Sequence, residues 1–397
     1  MSLIGISLSL FDVMKKVLFV IDSLTCGGAE KSLVSLLPLL NPKKYDLFLW
    51  MRHHGGEFVS LLPSDIKIVS SPSYSFFERV KCFVGRIVYS LTIRIHSLWR
   101  KKEHLAETLY KSQGWAMKVP EGEWDVAIAY QQGLPTYLVA EKIPARKKIA
   151  WINVNVFAVG YNTSFNRDFY KKFDSIVSVS DSLTDILKSR MPEFSDKYIT
   201  VYDVLNPGLI RNLSCEPVQK LKSSDGELVF VTTGRLVSLK GYDIAVEAAG
   251  YLKTQGVKFK WYFIGEGNER HNIEQLIIKR NVSHEVCLLG LKTNPYPYMK
   301  QADIYVQTSR FEGFGLTIGE AKILGRPVVS TNFDVVKNQI TDGKNGLIAE
   351  MNGKSVADTI MRLVGNDRLR EAIVSELNKE NNLTSITEVK KVEALLD

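Results

Sequence analysis

Two glutamates, Glu312 and Glu320, stand eight positions apart, with glycines and a threonine between them. Glu312 follows a strand-like run at 304–307, whereas Glu320 falls within a helix predicted to begin near Gly315 and to run past Leu324. Glycines let backbone amides approach a ligand closely, and a helix N-terminus carries partial positive charge. The pattern therefore suits a phosphate held by loop amides between two carboxylates, which would in turn hold sugar hydroxyls.

Two cations could offset the charge of such a phosphate. Arg235 and Lys240 follow the first predicted strand of the second half of the chain, in a turn that begins at Gly234. An arginine would bind such a phosphate with a fork of donors, and a lysine would bind it as a point charge. The alternative interpretation is a pair of solvated surface cations.

Two further glycine turns follow predicted strands. Gly27 and Gly28 lie between a buried strand and a helix, which fits a loop that approaches phosphate or sugar or one that only turns tightly. Gly265 and Gly267 suggest a dinucleotide fingerprint, but Arg270 occupies the position of its third glycine. This turn also lies in the middle of its domain, so the pattern argues against a nicotinamide enzyme.

Together these motifs resemble those of retaining glycosyltransferases of family 4, which have the two-domain GT-B fold. Residues 310–321 resemble the family's E-x7-E motif, and the other motifs follow in the family's order from about Met14. These are 27–30 for the N-terminal glycine loop, 206–207 for the interdomain crossover, 233–236 with 240–243 for the phosphate-binding strand and helix, and 264–267 for the next strand-end turn.

The resemblance implies a role for each candidate residue. Arg235 and Lys240 would hold the diphosphate and stabilise the departing charge, so that with Glu312, which would contact the transferred sugar, they form the catalytic set. Glu320 would accept hydrogen bonds from the ribose. The rest of the implied donor site comprises Gly28, Gly234, Gly265, Gly267, Leu291 and the backbone amides of Phe314, Gly315, Leu316 and Thr317.

The acceptor or sugar side of the implied site comprises Gly27 and Asn153. Many family members place a histidine where this chain has Asn153, which puts in doubt the role often given to that histidine. An asparagine can hydrogen-bond a hydroxyl but cannot act as a base. A plain asparagine at the end of a strand is the alternative interpretation.

Strand-like and helical runs alternate along the chain, which predicts an α/β fold with parallel sheets. The resemblance implies a GT-B arrangement, with two Rossmann-like domains facing across a cleft and closing about 206–208. Strands are predicted at 17–21, 47–50, 126–129, 148–152 and 175–179, and then at 228–232, 259–264, 286–289, 303–307 and 327–330.

The sequence divides into four predicted segments. Residues 14–205 would form an acceptor-binding domain and 206–375 a nucleotide-sugar-binding domain. The segment 376–397 would form a helix that returns to the first domain. Residues 1–13 are apolar without a preceding positive charge, so we expect an added or over-extended start instead of a secretory signal.

Composition is that of a globular protein, with 45% hydrophobic and 24% charged residues. The four cysteines are widely separated and no apolar run reaches about 18 residues, which favours a cytoplasmic protein without zinc or disulfides. No D-x-D sequence occurs, although that motif commonly holds the metal in single-domain glycosyltransferases. Cations, amides and helix dipoles would replace the metal, so we expect metal-independent transfer without a cofactor.

Residues 79–118 carry nine basic and two acidic residues among many apolar ones. A basic amphipathic helix can lie on an anionic membrane surface, which would place the protein at the inner face of the membrane. The same helix could instead pack its apolar stripe on the sheet and solvate its charges. The resemblance favours the membrane slightly, because the family's N-terminal domain often takes a lipid-linked acceptor.

The resemblance thus implies a retaining glycosyltransferase that uses a nucleotide-diphospho-sugar, with UDP favoured and GDP open. Its acceptor would be a glycan or a lipid-linked molecule in surface polysaccharide or lipopolysaccharide biosynthesis, and no nucleic acid is expected. The leaving phosphate would take the acceptor proton. A sugar-nucleotide epimerase of the same fold and a catalytically degenerate sugar-nucleotide-binding subunit are the alternatives.

Overall fold

The computed structural model describes residues 14–25, 27–98, 103–221, 226–380 and 383–397. The expectation for residues 1–13 therefore lies outside the described part. Contacts divide the chain into two units. Unit 1 runs to Val201 and regains Val389–Asp397, whereas unit 2 covers Tyr202–Glu388.

Unit 1 is built on a parallel sheet of seven strands. The strands are β1 (Lys15–Ile21), β2 (Tyr45–Met51), β3 (Lys67–Val69), β4 (Trp124–Ala129), β5 (Ala145–Ile152), β6 (Ser175–Ser178) and β7 (Tyr198–Thr200), in the spatial order β3-β2-β1-β4-β5-β6-β7. The last five residues of β1 are fully buried, because a parallel sheet covered by helices on both faces requires continuous apolar runs.

Among the described residues before Val201, six α-helices connect or cover these strands. They are α1 (Gly28–Leu36), α2 (Phe76–Leu98), α3 (Leu105–Gln113), α4 (Leu134–Glu141), α5 (Thr163–Tyr170) and α6 (Asp181–Arg190). No helix in the described ranges is both long enough and apolar enough to cross a membrane.

Unit 2 has a second parallel sheet, with six strands. They are β8 (Leu228–Thr233), β9 (Phe259–Ile264), β10 (Val286–Gly290), β11 (Ile304–Gln307), β12 (Val328–Thr331) and β13 (Leu347–Ala349), in the spatial order β10-β9-β8-β11-β12-β13. The order reverses between β8 and β11, and such a switch point opens a crevice at the carboxyl ends of the strands. The predicted α/β class and the two parallel sheets are confirmed.

The helices of unit 2 are α7 (Pro207–Leu213), α8 (Tyr242–Thr254), α9 (Arg270–Lys279), α10 (Tyr296–Lys300), α11 (Leu316–Ile323), α12 (Gly353–Val364) and α13 (Asp367–Glu380). Asn206 lies within unit 2, five residues after the division between the units. Its Oδ1 accepts a hydrogen bond from the Leu209 amide at 3.0 Å, and Pro207 begins the helix. Asn206 and Pro207 thus form a helix start, with an N-cap followed by proline.

Two helix ends differ from the sequence-based expectation. Helix α11 does not run past Leu324, because Gly325 adopts a left-handed backbone conformation (φ 68°) that ends the helix. The predicted C-terminal helix over 376–397 begins later, as α14 (Leu383–Leu396), because α13 continues to Glu380.

The last residues of the chain contact residues in and beside the first sheet. The Tyr45 hydroxyl donates to Asp397 Oδ1 at 2.9 Å, and the same carboxylate pairs with Lys15 and Lys44 at 3.7 and 3.4 Å. The Asn41 amide donates to Glu393 at 3.0 Å. The last residues of the chain therefore belong to unit 1.

Candidate active site

Loops that follow β8, β9 and β11 meet at the carboxyl ends of the strands of the second sheet. The Gly234 amide donates to the Ile264 carbonyl at 3.0 Å, and the Gly265 amide donates to the Gly290 carbonyl at 3.0 Å. The Arg310 amide donates to the Leu239 carbonyl at 2.8 Å. These backbone bonds bring most of the predicted donor residues of unit 2 to one edge of the sheet.

Lys240 and Glu312 form an ion pair at this edge. Lys240 Nζ lies 2.6 Å from Glu312 Oε1 and 2.8 Å from Oε2. The lysine side chain is 22% exposed and the glutamate side chain 10%. Two of the three predicted catalytic residues therefore hold each other in a largely desolvated place.

Two residues that the sequence analysis did not assign also hold Glu312. Gln307 Nε2 and Ser309 Oγ donate to Glu312 Oε1 at 2.7 and 2.6 Å. Gln307 Nε2 also donates to Ser309 Oγ at 2.7 Å. The signal that could have found them is the polar run Gln307 to Ser309 directly after an apolar strand.

A buried hydrogen-bond network orients Gln307 in turn. Its Oε1 accepts from the Tyr305 hydroxyl at 2.9 Å and from Thr317 Oγ1 at 3.1 Å. The Tyr305 hydroxyl also lies 3.0 Å from Thr233 Oγ1, at the end of β8. The network joins both central strands to helix α11 and leaves Glu312 little freedom to rotate.

Two predicted glycines allow close backbone approach. A Cβ added at Gly265 would lie 1.9 Å from the Gly234 carbonyl oxygen, and one added at Gly267 would lie 2.2 Å from the Leu236 carbonyl oxygen. No larger residue fits either place without movement of the backbone. Gly234 is positioned by the Tyr242 hydroxyl, which donates to its carbonyl at 2.9 Å.

The start of α11 offers backbone donors. Within the described residues, the amides from Phe314 to Thr317 donate to no acceptor, as expected at a helix N-terminus. Gln339 Nε2 donates to the carbonyls of Phe314 and Gly315 at 2.6 and 3.0 Å and so fixes this turn. Four unsatisfied donors at the positive end of the helix dipole favour an anion.

A surface ion pair ties the same loop to helix α8. Arg310 donates to both carboxylate oxygens of Asp243, at 2.7 and 2.5 Å. The Arg310 guanidinium holds the pKa of Asp243 below its usual value, mainly through these hydrogen bonds. On its solvent-facing side, the loop that carries Glu312 is therefore restrained by this pair.

The remaining donor candidates of unit 2 differ in exposure. Arg235 is exposed, and no carboxylate among the described residues pairs with it. Leu291 is 50% exposed after β10. Glu320 is fully buried, and its Oε1 accepts from the Tyr296 hydroxyl at 3.0 Å. A ribose could reach Glu320 only after a local rearrangement, which the sequence alone did not indicate.

The candidate residues of unit 1 lie at the carboxyl ends of the strands of the first sheet. Gly27 is the N-cap of α1 and Gly28 is its first residue. Asn153 follows β5, and its Nδ2 donates to the Tyr130 carbonyl at 2.9 Å. Its Oδ1 is buried and has no hydrogen-bond donor among the described residues. Asn153 therefore has an unsatisfied acceptor, which a ligand hydroxyl could reach only after a local rearrangement.

A metal-binding cluster is not found in the described ranges, where no three His, Cys, Asp or Glu side chains are arranged to hold an ion. The functional groups at the carboxyl ends of the strands of unit 2 are cations, backbone amides and carboxylates. Exposed Arg235, the Lys240–Glu312 pair and the open amides of α11 together suit a ligand with both phosphates and hydroxyls.

Comparisons with known proteins agree with this chemistry. Residues 216–379 match the family model described as glycosyl transferases group 1. An uncharacterized glycosyltransferase of Methanocaldococcus jannaschii is 28% identical over 220 residues, which are 53% of this chain and 57% of the relative. The poly(ribitol-phosphate) alpha-N-acetylglucosaminyltransferase of Staphylococcus aureus is 34% identical over 161 residues, 38% of this chain and 32% of that protein. The matched regions thus span less than two thirds of either relative.

A solved structure extends the likeness over nearly the whole chain. HepE of Anabaena, crystallised with UDP and glucose, has a TM-score of 0.70 and 16% identity, covering 96% of this chain and 99% of that one. At this identity the likeness concerns the fold. The chain has the GT-B fold, and its residues 216–379 match the family model of the glycosyl transferases group 1.

Proposed function

We propose that this protein is a retaining glycosyltransferase that moves a sugar from a UDP-linked donor to a hydroxyl of a glycan or lipid-linked acceptor. The observation that carries the proposal is the arrangement of side chains and amides at the carboxyl ends of the strands of the second sheet. There the Lys240–Glu312 pair is joined through Gln307 to the start of α11, whose amides are open.

The charges at this edge fit a nucleoside diphosphate sugar. Glu312 beside a diphosphate would repel it, but Lys240 offsets that charge at 2.6 Å. Arg235 remains exposed for the phosphates, and the amides of α11 add four neutral donors. Under this proposal Glu312 accepts hydrogen bonds from the sugar while the cations and amides hold the diphosphate.

The proposed reaction forms and breaks bonds on one face of the sugar. The bond from the anomeric carbon to the phosphate oxygen breaks, and a bond to the acceptor oxygen forms on the same face. The acceptor proton passes to the leaving phosphate oxygen, so no side-chain base is required. Arg235, Lys240 and the amides of α11 stabilise the growing charge on the phosphate, and transfer needs no metal.

The names of the relatives support the choice of donor and pathway. The Staphylococcus aureus relative is named for the transfer of N-acetylglucosamine to poly(ribitol-phosphate), and HepE was crystallised with UDP and glucose. We therefore favour UDP as the carrier and a surface polysaccharide or lipopolysaccharide as the product. The protein would work in the cytoplasm, at the inner face of the membrane.

A degenerate sugar-nucleotide-binding subunit is the second candidate. Two observations favour it: the complete burial of Glu320 and the presence of Asn153 where many glycosyltransferases of family 4 have a histidine. Such a subunit would bind the donor but would not turn it over. A binding measurement combined with a turnover measurement separates the two functions.

The proposal is tested by calorimetric titration with UDP, GDP, ADP and NAD, first with a chelator and then with magnesium. We expect UDP to bind without metal, and Lys240→Ala to weaken it by about tenfold or more. Lys279→Ala is the matched control, because Lys279 is an exposed cation of the same unit. Failure of the folded protein to bind any nucleoside diphosphate would contradict the proposal.

Turnover is measured as the release of UDP from each of a panel of UDP-sugars, with candidate acceptors and without them. Retention is checked by the anomeric configuration of the product in NMR spectra. Binding without release of UDP from any sugar would favour the degenerate subunit. Inversion of the anomeric centre would refute the one-face reaction.

A further inference from the structure

Helix α2 turns its large apolar side chains toward solvent. Its only buried residue is Gly85, where an added Cβ would lie 3.1 Å from Gln113 Cγ and 3.3 Å from the Ser112 carbonyl oxygen of α3. A stripe at three- and four-residue spacing is at least 44% exposed on α2, and it includes Phe77, Val80, Val84, Ile87, Leu91 and Leu98.

This arrangement is the reverse of an ordinary surface helix. Such a helix buries its apolar stripe and solvates its polar face. In α2 the small residue Gly85 faces the neighbouring helix, and the apolar stripe faces outward. The packing of this stripe on the sheet, one of the two interpretations of the sequence, is therefore not what the structure shows. A continuous exposed apolar surface marks a contact with a protein or a membrane.

A basic cavity of about 740 Å³ lies beside this helix in unit 1. No aspartate or glutamate lines it among the described residues. Its cationic lining consists of Arg52, Arg79, Arg86 and Lys118. Arg52 follows β2, and two of the other cations project from α2. The cavity therefore lies between the carboxyl end of β2 and the exposed helix.

Two of these four cations have no acidic partner. Arg52 pairs with Asp22 at 2.5 Å, and Lys118 pairs with Glu78 at 2.9 Å. Arg79 and Arg86 pair with no carboxylate in the part of the chain that the structure describes. They are seven residues apart and both line the cavity, and such guanidinium groups present forked donors for a phosphate.

The charge of α2 decides which surface it fits. Glu78 is the one acidic residue between Phe76 and Leu98, and Lys118 already offsets it. The apolar stripe is thus accompanied by unpaired positive charge. Basic amphipathic helices of this kind bind anionic lipid surfaces, with the apolar face at the level of the headgroups and upper acyl chains.

We propose that α2 lies on an anionic membrane surface and that Arg79 and Arg86 bind the phosphate group of a membrane lipid in the adjoining cavity. The apolar stripe contacts the acyl chains around that lipid. This binding rests on the geometry of unit 1 alone. It deepens the placement at the membrane that the proposed function includes. Its failure would remove that placement, whereas the nucleotide titration and the release of UDP decide sugar transfer separately.

The test is flotation of the full-length protein with phosphatidylcholine vesicles, made with or without phosphatidylglycerol. We expect binding to the phosphatidylglycerol vesicles only. Leu91→Glu should abolish it, whereas Ile278→Glu is the matched control, because Ile278 is 64% exposed on α9 of unit 2. Replacing Arg79 and Arg86 by glutamine should weaken binding about fivefold per arginine. Circular dichroism checks that each variant is folded.

The source of the phosphate is tested with a water-soluble short-chain phosphatidic acid and with inorganic phosphate. We expect the lipid to bind in an Arg86-dependent way and inorganic phosphate to bind at least about tenfold more weakly, because it has no acyl chain to bury. Equal binding of the two would indicate a free-phosphate site and would overturn the lipid assignment.

Sedimentation velocity without vesicles tests a second copy of the chain as the occupant. A concentration-dependent dimer that Leu91→Glu abolishes, together with no flotation of the wild type, would overturn the membrane proposal. Unchanged flotation of Leu91→Glu would also refute it.

Discussion

Lys240 Nζ lies 2.6 and 2.8 Å from the two carboxylate oxygens of Glu312, although 72 positions separate the residues in the chain. The fold brings them together because β8 and β11 are neighbours in the sheet. Both side chains are largely buried, so each depends on the other for a charge partner.

Removal of one partner should therefore cost more stability than removal of both. We expect Lys240→Ala to lower the free energy of unfolding by about 1–3 kcal/mol, because it leaves the Glu312 carboxylate without its cation. The double variant Lys240→Ala with Glu312→Gln should recover part of this loss. Urea denaturation measures both, and equal losses in the single and double variants would contradict the coupling.

The same variants should separate stability from catalysis. Under the proposed function, both the single and the double variant lose turnover by at least about 100-fold, since each removes stabilisation of the transition state. Release of UDP in saturating donor measures this loss. Recovery of turnover in the more stable double variant would show that Lys240 and Glu312 have only a structural role.

Ser309 should act on catalysis through the position of Glu312. Its hydroxyl donates to Glu312 Oε1 at 2.6 Å and accepts from Gln307 at 2.7 Å. We expect Ser309→Ala to lower kcat several-fold with little change in UDP affinity, because the carboxylate loses one of its restraints. Ser195→Ala is the control, because Ser195 is exposed in unit 1. An equal loss of UDP affinity would assign Ser309 to nucleotide binding.

The long buried strands could be predicted from the sequence, whereas three short ones could not. Each of the ten predicted strands is present, with ends shifted by up to three residues. The missed strands, Lys67–Val69, Tyr198–Thr200 and Leu347–Ala349, have three residues each, too few to show a period. All three are outer strands of their sheets, and pairing with one neighbour defines them more than their own side chains do.

Side-chain surroundings were less predictable than the motifs themselves. The spacing of Glu312 and Glu320 indicates a loop and a helix but not that Glu320 is fully buried beside Tyr296. The pattern of α2 shows that the helix is amphipathic, but not which face is covered. That depends on α3, which packs against Gly85.

Gly265 should tolerate alanine far less than an open glycine. A Cβ at Gly265 would lie 1.9 Å from the Gly234 carbonyl oxygen, whereas Gly256 has no atom within 4 Å of an added Cβ. Both glycines have positive φ, at 151° and 76°, so backbone strain opposes both substitutions. We expect Gly265→Ala to cost about 1–3 kcal/mol more than Gly256→Ala because of the clash. Thermal unfolding of the two variants checks this difference.

Glu107 should make the stability of unit 1 depend on pH. It is fully buried, and burial raises the pKa of its carboxyl above the ordinary value of 4.5, although hydrogen bonds from Asn162 and Asn166 oppose the rise. The folded state therefore holds the proton more tightly than the unfolded state. The stability that this contributes is present below pH 4.5 and is lost as pH rises through the folded pKa.

The variant Glu107→Gln removes this titration. We therefore expect the difference in Tm, Glu107→Gln minus wild type, to become more positive as the pH rises from about 5 to about 8. Exposed Glu57→Gln is the control for a lost surface carboxylate. A Tm difference that is constant over this range would show that the Glu107 pKa is not raised.

The return of Val389–Asp397 to unit 1 has a consequence for how the chain is made. Unit 2 is in effect inserted into unit 1, so Lys15, Lys44 and Tyr45 contact a carboxylate that the ribosome supplies only after all of unit 2. Unit 2, in contrast, is a single continuous segment, Tyr202–Glu388. Fragments cut at the division between the units should therefore yield a stable second unit more readily than a stable first one.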